Sequence, residues 1–141
     1  MSQAAEPIAF DRGMAAFRKR DFVAAEREFR QLTIQDPDSA RAWKLLGMTY
    51  SAQEKYALAV GPYSRACQLD SAEENACYYL GRVYFATSRF AKALEAFGKA
   101  PKNGRVLAGE ALAFEAIGKP VEAEALYKQA IAAGERQAAL D

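Results

Sequence analysis

Apolar positions along this chain fall at helical rather than strand spacing. Trp43, Leu46, Gly47 and Tyr50 stand at i, i+3, i+4 and i+7, one face of an α-helix. Tyr56, Ala59, Tyr63, Ala66 and Cys67 mark a second such face, and the polar stretch SAQEK separates the two. The pattern then repeats. Gly13, Gly47 and Gly81 lie 34 residues apart, as do Ala25, Ala59 and Ala93, the rings of Phe22, Tyr56 and Phe90, and those of Phe29, Tyr63 and Phe97. Self-similarity at such a period marks stacked supersecondary units, none of which buries its apolar face alone. Here the unit is a helical hairpin. Helices are predicted over 5–18 and 22–35, 40–52 and 56–69, 73–86 and 90–100, and 105–117 and 121–133, with a short tail after Gly134.

The glycine column needs a reason, because Gly in a helix costs about 1 kcal/mol relative to Ala. Antiparallel helices sit about 8–10 Å apart, depending on the side chains at the crossing. Gly47 and Ala59 are the small residues expected to allow that approach, with Tyr50 and Tyr63 filling the space beside them. The last unit is out of step: Ala93 to Ala123 and Phe97 to Tyr127 span 30 residues rather than 34. The shortfall, 34 − 30 = 4, falls near APKNG and equals about one helical turn, so the downstream faces stay in phase. Pro101 and Gly104 supply the stop and the turn. Pro62, after Gly61 inside a second helix, is expected to kink that helix on its outer side.

Composition narrows the classes. The chain has 141 residues, 51% hydrophobic and 26% charged, which fits a folded globular unit and not a disordered one. Net charge is +1, and neither half is polarised, so the basic stripe of a nucleic-acid binder is missing. There is no His, and two cysteines, Cys67 and Cys77, are too few for a disulfide framework or a closed zinc site. Both occupy core columns and are read as small buried thiols, with a contact or redox pair between them left open. No apolar run approaches the roughly 20 residues that span a bilayer. Charged residues among the first twenty leave no visible signal peptide, so a reducing, cytoplasmic location is expected. The carboxylates have structural readings: Asp36-Pro37-Asp38 at a turn, and Ser71 with Glu74 as a capping box. No pair of them points to acid–base chemistry, and GKP at 118–120 is a turn and not a phosphate loop. Neither metal nor cofactor is implied.

The column residues resemble those of the tetratricopeptide repeat (TPR) family. The second unit supplies Trp43, Leu46-Gly47, Tyr50, Ala59, Tyr63 and Ala66. The third has Leu80-Gly81, Tyr84, Ala93, Phe97 and Ala100, with Cys77 in place of the Trp. The first has Gly13, Ala25, Phe29 and Pro37, but Arg12 and Ala16 where Leu and Tyr are usual. In the fourth, Glu110 and Ala111 replace Leu-Gly. The resemblance implies an all-α, right-handed α-solenoid of about four hairpins. It implies a single TPR domain over 1–141, with repeats at approximately 6–39, 40–73, 74–103 and 104–137.

In that family the first helix of each hairpin lines a concave surface. One row of lining columns reads Phe10, Lys44, Tyr78 and Ala108, and the next Met14, Met48, Arg82 and Leu112. A third reads Phe17, Ser51, Phe85 and Glu115, and beside them stand Asp11, Leu45, Tyr79 and Gly109. Phe10, Met14, Phe17, Met48, Tyr78, Tyr79, Phe85 and Leu112 form an expected apolar strip, and an exposed apolar strip marks a binding site. Arg41, Lys44, Arg82 and Arg105 add positive charge. The expected ligand is a protein or peptide segment with apolar and acidic side chains. The family's clamp for chaperone-tail carboxylates is not implied, because its columns here hold Phe10, Met14, Leu45, Asn75 and Tyr79. The expected function is a non-catalytic protein–protein interaction scaffold or adaptor. Three alternatives stand beside it: a small chaperone shielding a client segment, a module that self-assembles through its C-terminal helix, and a regulatory fragment of a larger protein. Nucleic acid and membrane are not expected partners.

Overall fold

The computed structural model describes residues 5–69 and 75–140. Among these it contains eight α-helices and no strand: α1 (Ala5–Arg18), α2 (Phe22–Gln35), α3 (Ala40–Ala52), α4 (Tyr56–Leu69), α5 (Ala76–Ala86), α6 (Phe90–Lys99), α7 (Gly104–Ala116) and α8 (Pro120–Leu140). Short polar side chains start several of them. Asp21, Ser39 and Asn103 accept hydrogen bonds from the backbone N–H of Ala24, Ala42 and Val106 at 3.1, 3.1 and 3.0 Å, satisfying donors that the helix itself leaves open. Each hairpin turns through one residue in the left-handed region. Arg20, Glu54 and Ser88 have φ of 63, 60 and 62°, and Gly118 has 81°. The first three keep the 34-residue interval and the last follows the 30-residue one.

The chain divides into two compact units, one reaching to Ala76 and the other beginning at Cys77. In the first, α1 packs on α2, α2 on α3, and α3 on α4. Its core is built from Ala25, Phe29, Leu32, Ala42, Leu46, Ala59, Tyr63 and Ala66. The Thr33 and Thr49 hydroxyls are buried there and donate to the carbonyls of Arg30 (2.6 Å) and Leu45 (2.8 Å). Arg30 also donates to the Tyr50 hydroxyl, tying α2 to α3. In the second unit α6 packs on α7 and α7 on α8, around Leu80, Val83, Ala93, Phe97, Val106 and Ala111.

The glycine column packs differently from the expected small-on-small crossing. A Cβ on Gly13 would stand 2.4 Å from the Phe29 ring, one on Gly47 2.7 Å from Tyr63, and one on Gly81 2.5 Å from Phe97. Each first-helix glycine is therefore the seat of the second-helix aromatic sixteen residues later. The ring needs the volume of the missing methyl, whereas alanine at position 59 is already small and needs no such concession. Glu110, standing where Leu is usual, is covered by Lys102, whose Nζ lies 2.8 Å from its carboxylate.

Other expectations are revised. The segment after Gly134 is not a loose tail, because α8 continues to Leu140. The stretch ERQAAL is made of good helix formers, so nothing stops the helix at the glycine. Helix α6 ends one residue early, at Lys99. Pro62 lies inside α4, where the spacing puts it. Cys67 and Cys77 are buried as expected, but neither is a free thiol, so the reading of two small buried thiols gives way. The Ser71–Glu74 capping box lies outside the described residues. No helix among the described residues is long and apolar enough to cross a membrane.

Candidate functional site

Two first helices of the second unit run side by side and leave a cleft of about 450 Å³. From α5 come Tyr78, Arg82, Phe85 and Ala86, and from α7 come Arg105, Ala108, Gly109 and Leu112. These sit at i, i+4, i+7, i+8 and at i, i+3, i+4, i+7, one face of each helix. Phe97 of α6 forms the floor. Its ring lies 6.0 Å from that of Tyr78 and presses on Gly109, where a Cβ would come within 2.7 Å. A residue larger than glycine on that turn would displace the floor.

Two cations share the Tyr78 ring. The Arg105 guanidinium carbon lies 4.8 Å from its centroid and that of Arg82 5.8 Å. Both arginines are exposed, and among the described residues neither has a carboxylate at ion-pair distance. The opposite end of the cleft is apolar: Leu112 is exposed and Phe85 is half-buried against Phe90, 5.2 Å away and edge-on.

The first unit carries the same columns with another outcome. Arg41 lies over Phe10 at 4.2 Å, as Arg105 lies over Tyr78, and Phe17 meets Phe22 edge-on at 5.4 Å, as Phe85 meets Phe90. Yet Phe10 is only 6% exposed, so it is core and not a wetted anchor. The two units also differ in size at the columns of Lys44 and Leu45. Moving on by one 34-residue and one 30-residue interval, their columns hold Ala108 and Gly109. Large side chains in α3 are therefore replaced by small ones at the same columns of α7. Met14, Phe17, Lys44 and Met48 are half-buried, and Arg41 is exposed. Tyr79 is half-buried with its ring 5.5 Å from that of Tyr78, so it props the cleft wall from behind. Of the twelve expected groove residues, Tyr78, Arg82, Phe85, Arg105 and Leu112 line this cleft together. Ala86, Phe97, Ala108 and Gly109 complete it: Ala108 and Gly109 stood in the expected lining columns without being counted as groove residues, and Ala86 and Phe97 were not placed there.

The resolved pKa displacement lies elsewhere, at Tyr127 on α8. Partial burial first, then the nearby Glu115 carboxylate accepting its hydroxyl at 3.4 Å, push the phenol above its usual 10.0. Among the described residues no cluster of three or more His, Cys, Asp or Glu side chains is placed to hold a metal ion.

A family model for the tetratricopeptide repeat matches residues 10–74 and again 78–138. The chain belongs to the tetratricopeptide repeat family. Relatives at the sequence level include the cytochrome c-type biogenesis protein CycH of Pseudomonas aeruginosa, 32% identical over 126 residues, which is 84% of this chain and 28% of that protein. The BBSome complex member BBS4 homolog of Drosophila melanogaster is 24% identical over 94 residues, 63% of this chain and 19% of that protein. Among solved structures, one of MamA (MamA MSR-1 C2) superposes with a TM-score of 0.76 at 26% identity, covering 89% of this chain and 74% of the other. Another (MamA RS-1 ArsTM double mutant) gives 0.81 at 16% identity, over 93% and 75%, a likeness of fold alone. The TPR chain thus spans under a third of the length of the curated relatives named here. Its all-α repeat architecture is that of a protein–protein interaction scaffold.

Proposed function

We propose that this TPR chain is a non-catalytic scaffold that holds a peptide segment of a partner protein in the cleft between α5 and α7. The observation that carries the reading is the cleft of about 450 Å³ between α5 and α7, which opens where α7 carries Ala108 and Gly109 in the columns that hold Lys44 and Leu45 in α3. That volume is within the range of small-ligand and side-chain pockets, and its walls are mostly apolar. Aromatic and Arg anchors around an apolar centre are the usual makings of a binding hot spot. The half-buried Met14, Phe17 and Met48 of the first unit are proposed to add apolar contacts along its own first helices. One relative is by name a member of a complex, in keeping with a scaffold role. A screen of immobilised peptides tests the reading with the wild type, Tyr78→Ala and Ala108→Lys. The lysine variant restores the residue found in the same column at position 44. Both variants are expected to lose the wild-type peptide profile while keeping its circular dichroism. An unaltered profile in both would remove the cleft from consideration.

A second reading, self-association through α8, has one observation in its favour. Ile131 is 63% exposed, whereas Thr33 and Cys67 in the same column are 5% and 6% exposed. Sedimentation over a concentration series should show mass rising with concentration, and Ile131→Glu should abolish the rise. A monomer throughout would refute it.

A further inference from the structure

We infer that the cleft reads a directional, two-part motif: a carboxylate side chain where α5 and α7 begin, and a bulky apolar side chain toward the ends where they finish. The inference rests on the cleft reading above and adds the chemistry and polarity of its occupant. It starts from the two guanidiniums, 4.8 and 5.8 Å from one Tyr78 ring. Like charges repel, and this pair has no carboxylate at ion-pair distance among the described residues to offset that. A tyrosine face attracts cations but supplies no hydrogen-bond acceptor for their N–H forks, whereas a carboxylate accepts two from one guanidinium. Both arginines therefore keep donors for a ligand anion.

The position of this charge is not neutral with respect to the helices. Tyr78 and Arg105 are each near the first turn of their helix, Ala76–Ala86 and Gly104–Ala116. The N-terminal ends of both helices carry partial positive charge and favour an anion at the same end. Phe85 and Leu112 stand seven residues further along α5 and α7 respectively, about 10 Å at 1.5 Å per residue. There the lining carries no charged side chain beyond Arg82, which stands part-way. An extended peptide rises about 3.3 Å per residue, so the acidic and apolar side chains of the occupant lie about three residues apart. A segment of the opposite polarity would place its carboxylate against Phe85 and Leu112, losing hydration with no donor to replace it.

A random dodecapeptide phage library panned on the full chain tests this, followed by fluorescence polarisation with the selected peptide as the labelled probe. Enriched sequences are expected to share Asp or Glu two to four residues from Leu, Ile, Phe or Met. Changing that acid to its amide in the probe should weaken binding about ten-fold or more, as for a charge-assisted hydrogen bond. In the Arg82→Gln/Arg105→Gln variant the same change in the probe should have little effect. Enriched sequences without a common acid, or an acid whose amide costs as much in that variant as in the wild type, would overturn the two-part motif. The cleft reading would survive that result if Ala108→Lys still abolished binding. It would fall with the motif if nothing were enriched, or if Ala108→Lys bound as the wild type does.

Discussion

Gly81 has the Phe97 ring where its side chain would be, with an added Cβ only 2.5 Å from the ring carbons. Gly109 also abuts this ring, with an added Cβ 2.7 Å from it, which restricts how far Phe97 can shift. Gly81→Ala is therefore expected to destabilise the fold by about 1–3 kcal/mol through overpacking, despite the better helix propensity of alanine. Urea denaturation measures this. Phe97→Leu, which shortens the ring side of the contact, should make the added methyl less costly in the double mutant than in the single one. Strict additivity of the two changes would show that the pair does not touch. The glycine column was legible in the sequence because Gly47 falls inside a helical face, at i+4 from Trp43 with Leu46 and Tyr50, and recurs at 34 residues. Its packing partner was not, because periodicity places a residue on a face without saying which neighbour fills the space above it.

At the scale of elements, the faces of the helices followed from spacing, because a buried stripe must recur every three or four residues, but α5 begins at Ala76 rather than at 73, after Asn75 in the left-handed region. The end of α8 did not follow. Residues 134–140 are exposed, so they carry no buried stripe for the eye to extend, and good local propensity favours the helix there. Helix α4 raises the opposite point. Pro62 lies inside it, with Gly61 just before it exposed and without atoms near a would-be Cβ. Proline in a helix interior removes one backbone hydrogen bond and crowds the carbonyl four residues earlier. Pro62→Ala is expected to raise the unfolding free energy by about 1–3 kcal/mol. An unchanged or lower midpoint in urea would mean that the ring of Pro62 makes packing contacts worth as much as the bond it removes. The cleft belongs to this scale as well. Its columns were legible once the 30-residue interval set the register of α7. Its opening was harder to see, because it depends on what is small at Ala108 and Gly109 and not on what is aromatic.

For the molecule as a whole, the near-zero net charge means that recognition depends on where the charges stand and not on their sum. The repeat supplies the same frame twice, with an arginine over a first-helix ring in each unit, at 4.2 and 4.8 Å. Only the second unit pairs that arrangement with small residues beneath it, and so the account places binding there. Backbone amide chemical shifts of the full chain, followed by NMR as the selected peptide is added, test this most directly. Saturable shifts are expected to concentrate on α5 and α7 around Tyr78, Arg82, Ala108 and Leu112, and to vanish in Ala108→Lys. Shifts confined to the outer faces of α2, α4, α6 or α8, with the α5 and α7 amides unmoved, would contradict it.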